Sequence, residues 1–332
     1  MIFLIIGVAF LPTGIYIQNL NNSVYEQKIK YDGGNNDATT TCGISANNEG
    51  RTCDLIFTLD DDIADDIYVY YELTNFYQNH RLYVRSYSSE QMLGTQVSDL
   101  NDLKKNCYTQ YQSNDSRILN PCGLIANSFF NDNIVFDHAS SNANEMKEDE
   151  ISWESDDDKF KQVEGFEYRV LTSSSQSCTE VGLDAGCEYY KDDNDIMYRY
   201  QYPDTGNYKY LYQSYPQINP ILGVTDPHFM VWMRTAARSE FRKLYGIIPG
   251  PFTKGQQLKF GVECNFEVES FKGSKALIIS TLTSMGGRNK YIGVAYIVVS
   301  VFAFVLTFMF VAKHMMSERR AMGDIKLLRW ED

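Results

Sequence analysis

The sequence predicts a two-span membrane protein with one large extracytoplasmic head. Three observations carry this: an apolar run near each end, a basic segment after the second run, and seven cysteines confined to the stretch between them. Tyr291 to Ala312 holds 22 residues without a charge. At about 1.5 Å per residue such a helix covers roughly 33 Å, the depth of a bilayer's hydrocarbon core. The tail from Lys313 to Asp332 carries five Lys and Arg residues; basic residues are retained in the cytoplasm, so the C-terminus is expected there. The first run, Met1 to Ile17, has no basic segment before it and no small-residue cleavage pattern after it. It reads as a signal-anchor helix, with a cleaved signal peptide as the competing reading. The expected divisions are a transmembrane helix at 1–18, a head at 19–290, a second transmembrane helix at 291–312 and a tail at 313–332, with both termini cytoplasmic.

The chain's formal net charge is −13, and its tail is net positive, so the head is acidic. Nucleic acid is excluded as a partner class, because phosphate binding relies on positive charge. Runs such as Asp60-Asp61-Asp62, Glu148-Asp149-Glu150, Asp156-Asp157-Asp158 and Asp192-Asp193 read as solvated loops; none has the alternating acids, Gly and closing Glu of a calcium loop. The cysteines fit a compartment that permits disulfides. Cys42/Cys53, Cys107/Cys122 and Cys178/Cys187 are neighbours in sequence, the simplest pairing although spacing alone does not fix connectivity, and Cys264 is left over. Asn114-Asp115-Ser116 is a glycosylation sequon, and Asn21-Asn22-Ser23 a second one close to the first span.

Between residues 32 and 51 the Gly, Asn and Thr content predicts a surface loop. Ile67 to Leu73 has the aromatic and β-branched composition of a strand. Phe76, His80, Tyr83 and Tyr87, spaced by four, three and four behind a Thr74 or Asn75 cap, predict a short helix with His80 on its apolar stripe. Asp137 to Lys161 reads as a polar excursion around Trp153, and the tyrosine-rich Asp184 to Tyr215 as irregular structure or a contact surface. His228 to Met233 reads as a buried strand, Arg234 to Tyr245 as a short helix closed by Gly246. Leu258, Phe260, Val262, Cys264, Phe266 and Val268 alternate with polar residues, a strand that places Cys264 in the core rather than at a reactive site.

No catalytic constellation stands out: there is no nucleophile elbow, phosphate-binding glycine loop or paired-histidine zinc helix, and no cofactor or metal is expected. His80 and His228 read as hydrogen-bonded structural histidines. In the second span Gly293, Ser300, Ala303 and Thr307 place small side chains along one helix face, a candidate surface for a partner helix. Neither span contains a charge, which disfavours an ion pathway.

Five blocks identify a resemblance. They are Tyr71-Glu72-Leu73-Thr74-Asn75-Phe76-Tyr77-Gln78-Asn79-His80-Arg81, Asn120-Pro121-Cys122-Gly123-Leu124-Ile125-Ala126-Asn127-Ser128, Trp232-Met233-Arg234-Thr235-Ala236-Ala237, Phe241-Arg242-Lys243-Leu244-Tyr245-Gly246 and Gly286-Gly287-Arg288-Asn289. In this order they resemble the CDC50/LEM3 family, non-catalytic β-subunits of the P4-type ATPases that act as phospholipid flippases. The resemblance implies a disulfide-bonded, glycosylated, mainly antiparallel β (α+β) head over the extracytoplasmic side of the ATPase, with both spans beside its helices. It implies no active site in this chain, and a role in the partner's exit from the endoplasmic reticulum, its stability and its phosphorylation cycle. Residence in the endoplasmic reticulum, Golgi, endosome or plasma membrane follows. The Cys107–Cys122 pairing is similar to the family's disulfide before the Pro-Cys-Gly turn. Ser239, Glu267 and Lys290 stand where the family often has proline, and the family's cytoplasmic N-terminal tail has no counterpart before Met1.

Overall fold

The computed structural model describes residues 2–33, 42–44, 50–192 and 194–316. It divides into two units, a pair of long helices made by the two chain ends and a head from Glu26 to Ser280. In chain order the elements are α1 (Ile2–Ser23), β1 (Glu26–Asp32), β2 (Arg51–Thr58), β3 (Ile67–Thr74), α2 (Arg81–Val84), α3 (Ser89–Met92), α4 (Leu100–Cys107), β4 (Ile118–Asn120), β5 (Asn133–Phe136) and α5 (His138–Ser141). There follow β6 (Glu167–Leu171), β7 (Glu188–Lys191), β8 (Met197–Gln201), β9 (Tyr208–Tyr210), α6 (Leu211–Ser214), α7 (Pro227–Met233), β10 (Phe241–Ile248), β11 (Gln257–Cys264), β12 (Ser274–Ser280) and α8 (Lys290–Met316).

The head is built on antiparallel sheets. One runs β1-β12-β3-β10, a second β2-β11-β5 and a third β6-β8-β7, while β4 and β9 form a short parallel pair. Period-two patterning drives the first two: alternate residues of β3 and of β11 are buried, so Ile67, Val69, Tyr71 and Leu73 share one buried face of the first sheet and Leu258, Phe260, Val262 and Cys264 one buried face of the second. Each such apolar side chain contributes roughly 1.5–3 kcal/mol when removed from water. Disulfides join Cys42 to Cys53, Cys107 to Cys122 and Cys178 to Cys187. Cys264 is a buried thiol whose sulfur lies within 4.8 Å of both sulfurs of the first pair. Burial pushes that thiol up to about 12, which keeps it protonated and inert.

A buried ionic cluster ties strand to loop across the head. Lys275 on β12 is fully buried; its Nζ lies 2.8 Å from Asp132 and 3.3 Å from Asp32 and donates to the Phe266 carbonyl at 2.6 Å. The Tyr31 hydroxyl donates to Asp132 at 2.8 Å, and the other Asp132 oxygen accepts from the backbone N–H groups of Asn265 and Phe266 at 2.7 and 2.6 Å. Buried charges persist only when paired and hydrogen-bonded, and here every Asp132 oxygen is used.

Four sequence expectations change. His228 to Met233 lies in helix α7, because Asp226 caps its first turn (accepting from His228 and Phe229 N–H at 2.9 and 3.3 Å) and Pro227 pre-sets its first helical residue. The helix expected over Arg234 to Tyr245 does not form: its second half belongs to strand β10, which pairs with β3 through a bulge between Leu244 and Gly246. The helix expected over Phe76 to Tyr87 shrinks to the single turn α2, because Asn75 turns the chain at φ 59° and β3 runs on to Thr74. The tyrosine-rich segment is a small folded layer: Tyr200, Tyr202, Tyr208 and Tyr210 are buried with Val163 between β6-β8-β7 and β9.

In the helix pair, α1 and α8 are both long and apolar enough to cross a membrane. Gly14 permits their close approach, since a Cβ there would stand 2.9 Å from Ile297 and 3.1 Å from the Gly293 carbonyl. Ser300 donates to the Gly7 carbonyl at 3.0 Å, and Phe10 packs on Tyr296 with ring centres 5.1 Å apart. Where the helices leave off, Thr281 N–H donates to the Tyr25 carbonyl at 3.0 Å and Tyr25 N–H to the Thr281 hydroxyl at 3.0 Å.

Candidate functional site

Four of the five quoted blocks, far apart in sequence, meet around Trp232. Its ring is fully buried on α7, and its indole N–H donates to the Ile125 carbonyl at 2.8 Å. Phe76 packs against it at 5.8 Å between ring centres and also against Tyr83, Phe241, Phe266 and Phe271. The Gln78 side-chain Oε1 accepts from Ala236 N–H at 2.8 Å, and the Asn79 side chain donates to the Ala237 carbonyl at 2.9 Å, so the first block is stitched to the third. Asn127 donates to the Pro121 and Gly123 carbonyls and holds the Pro-Cys-Gly turn closed. At Gly123, φ 107°, a Cβ would fall 2.1 Å from the Ser86 carbonyl oxygen, so only glycine fits. Lys243 of β10 reaches the end of α7 and donates to the carbonyls of Val231, Trp232 and Arg234 at 2.8, 2.7 and 2.5 Å. Burial first, and then the Arg234 charge, lower this ammonium to about 7, while three carbonyls are aimed at its three protons.

The rim of this cluster is polar and reaches the surface. Arg234 pairs with the buried Asp156, which Lys159 also contacts at 2.7 Å, and its guanidinium lies 4.7 Å over the exposed Trp153 ring. The Arg234 hydrogen bond holds the Asp156 carboxyl below its ordinary range. Beside the pair opens a groove of about 570 Å³ walled by Val84, Tyr87, Met92, Leu93, Phe160 and Met233. Tyr77, Asn79, His80 and Arg81 are exposed on the turn before and into α2.

The chain matches the model of the LEM3 (ligand-effect modulator 3) family / CDC50 family over residues 17–320, from the end of α1 beyond the end of α8. The chain belongs to this family. Among its relatives, cell cycle control protein 50A of Mus musculus is 31% identical over 92% of this chain and 79% of its own length. ALA-interacting subunit 3 of Arabidopsis thaliana is 30% identical over 99% and 83%, and cell cycle control protein 50C of Bos taurus 30% over 96% and 87%.

Other expected site residues of this CDC50/LEM3 chain fall in different places. Glu72 pairs with Lys28 across the first sheet, and Asn289 exchanges hydrogen bonds with Asn21 in the helix pair, next to the bend at Gly287. That exchange corrects one expectation: the Asn21 amide, in α1 and 8% exposed, is committed to the Asn289 carbonyl and is not free to carry a glycan. Asn114 lies exposed in a turn. The small-residue stripe is a second correction. Gly293, Ser300 and Ala303 are buried, with Ser300 bonded to Gly7 and Gly293 close to Gln18 of α1, so this part of the stripe is occupied within the chain; Thr307 is half-buried and donates to the Ala303 carbonyl of its own helix. His80 is exposed rather than on an apolar stripe. Of the tail beyond Met316, including Arg319 and Arg320, nothing falls within the described residues.

His228 is, beside Lys243, a pH-responsive group of the head. Its Nε2 lies 2.8 Å from a Glu148 oxygen, and its ring packs 4.5 Å from Tyr245. Burial opposes the imidazolium, but the Glu148 hydrogen bond and the charges of Asp226 and Glu148 outweigh it, and the pKa is raised above 6.5. A raised folded-state pKa gives stability that is fully present below the unfolded value and is lost as pH rises through the folded one. Lys243 acts in the opposite sense: its ammonium is lowered to about 7, so the stability it costs is regained as pH rises above that value. We expect the change in thermal midpoint from about pH 6 to about pH 8 to be more positive in His228→Gln than in the parent by ~2–4 °C; an unchanged slope assigns the effect elsewhere.

Proposed function

We propose that this chain is the non-catalytic accessory subunit of a P4-type ATPase, which moves phospholipid to the cytoplasmic leaflet. The observation that supports it is the match to the CDC50/LEM3 family over nearly the whole chain, with four of the five resembling blocks gathered around Trp232. One relative's name, ALA-interacting subunit, describes a protein that binds another. In this reading the head lies outside the cytoplasm, both termini lie inside, and the subunit accompanies the ATPase out of the endoplasmic reticulum. A subunit that binds one state of the pump more tightly shifts the phosphorylation cycle toward that state without contributing a catalytic group. With the small-residue stripe used between α1 and α8, we place the head's share of the contact at Tyr77, His80 and Arg81, three of the block residues left at the surface.

Gentle purification of the tagged full chain is expected to bring down a P-type ATPase in equal amount. Tyr77→Ala combined with Arg81→Glu should weaken that association about tenfold while leaving the thermal midpoint of the free chain in place. Recovery of the chain without any ATPase, together with normal ATPase exit from the endoplasmic reticulum in its absence, overturns the proposal.

A further inference from the structure

We infer that the head contains a specific site for one ordered water molecule, held between Asn120 at the end of β4 and the tyrosine layer around β8 and β9. Asn120 is 4% exposed, and its side-chain Nδ2 finds no acceptor among the described residues. Asn120 also lines a cavity of about 10 Å³, together with Gln91, Gln162, Tyr202, Tyr210 and Gly223. That volume matches the space one water needs, and the walls supply polar groups in the number such a water uses.

The hydrogen-bond inventory identifies the ligand. Gln162 Oε1 accepts from Val163 N–H at 3.0 Å and keeps a second lone pair. Tyr202 accepts from Gln162 Nε2 at 2.9 Å and donates to the Pro220 carbonyl at 2.8 Å; Tyr210 accepts from Gln96 at 2.8 Å and donates to the Pro203 carbonyl. Each hydroxyl is left with one lone pair and no proton to give. Burial raises both phenols, Tyr210 to about 12, so both stay neutral. The cavity thus presents one unmet donor, Asn120 Nδ2, opposite acceptors that have donors to receive. Water, which accepts once and donates twice, completes this set. A cation cannot, since it would meet the Asn120 N–H bonds. Gly223 forms the opposite wall at φ 56°, where a Cβ would fall 2.6 Å from the Tyr202 hydroxyl and 2.8 Å from the Gln162 amide. The water joins the turn that carries Cys122 to the tyrosine layer, two parts of the head otherwise linked here by the short β4–β9 pairing.

A crystal structure of the full chain in lipid, at a resolution that shows single waters, tests the site. We expect one density peak within hydrogen-bonding distance of Asn120 Nδ2 and of two acceptors among Gln162, Tyr202 and Tyr210. Asn120→Asp should keep the peak, because the water turns to donate to the new oxygen, and Asn120→Leu should abolish it. A cavity without density while neighbouring waters are visible overturns the inference. So does an Asn120 amide turned onto a protein acceptor, or a peak that survives in Asn120→Leu. The unmodified chain alone decides the question if a variant does not fold.

Discussion

Replacing Lys275 with methionine is expected to cost the head about 3–5 kcal/mol, the usual result of removing one partner from a buried ion cluster. The stem packs as before, but Asp132 and Asp32 lose their shared cation and the Phe266 carbonyl its donor. Burial already raises the Asp32 carboxyl, with Lys275 as the main opposing influence, so its loss drives that carboxyl further up. In a head of this size the thermal midpoint should fall by about 10 °C or more, followed by tryptophan fluorescence of the purified full chain. Under the proposed function the variant should also be retained in the endoplasmic reticulum. A midpoint within a degree or two of the parent would mean that the cluster contributes no net stability. The triple change Lys275→Met, Asp132→Asn, Asp32→Asn should recover part of the loss, because no unpaired charge is left buried.

Trp232→Ala should be comparably severe, at about 3–5 kcal/mol. The substitution opens a cavity among Phe76, Phe129, Phe241 and Phe266 and leaves the buried Ile125 carbonyl without its indole donor. Trp232→Phe keeps most of the packing and loses the hydrogen bond, so it should fall between the parent and the alanine variant in thermal midpoint. If phenylalanine and alanine were equally destabilising, the hydrogen bond rather than the packing would hold the blocks together.

What could be read from the sequence follows from where each signal is stored. β3 and β11 announce themselves because their partners bury one face and leave the other half-exposed, so alternation survives in the chain. His228 to Met233 has no polar alternates and fits a buried strand or a buried helix equally well; the decisive signal was the Asp226-Pro227 pair just before it. β10 was concealed by Lys243, a charged residue at a core position, whose place makes sense only once the end of α7 lies above it. Tyrosines 200 to 210 carry both an apolar ring and a hydroxyl, so composition does not say whether they face water. The ionic cluster was beyond local reading, since Tyr31, Asp32, Asp132 and Lys275 are brought together only by sheet pairing. A lysine directly before the apolar run from Ala276 to Ile279 was the single hint. The small-residue stripe was visible in α8, but a stripe does not name its partner, and here the partner is the other end of the same chain.

The bonded pair Tyr25 and Thr281 has a thermodynamic consequence for the head. The head's first and last residues, Glu26 and Ser280, are register partners of β1 and β12 and follow and precede that pair in the chain. If α1 and α8 stay paired while the head unfolds, they close a loop of 255 residues. By loop-closure scaling such a clasp removes about 5 kcal/mol of disorder from the unfolded chain. A detergent that lets α1 and α8 drift apart should loosen the head without touching any residue in it.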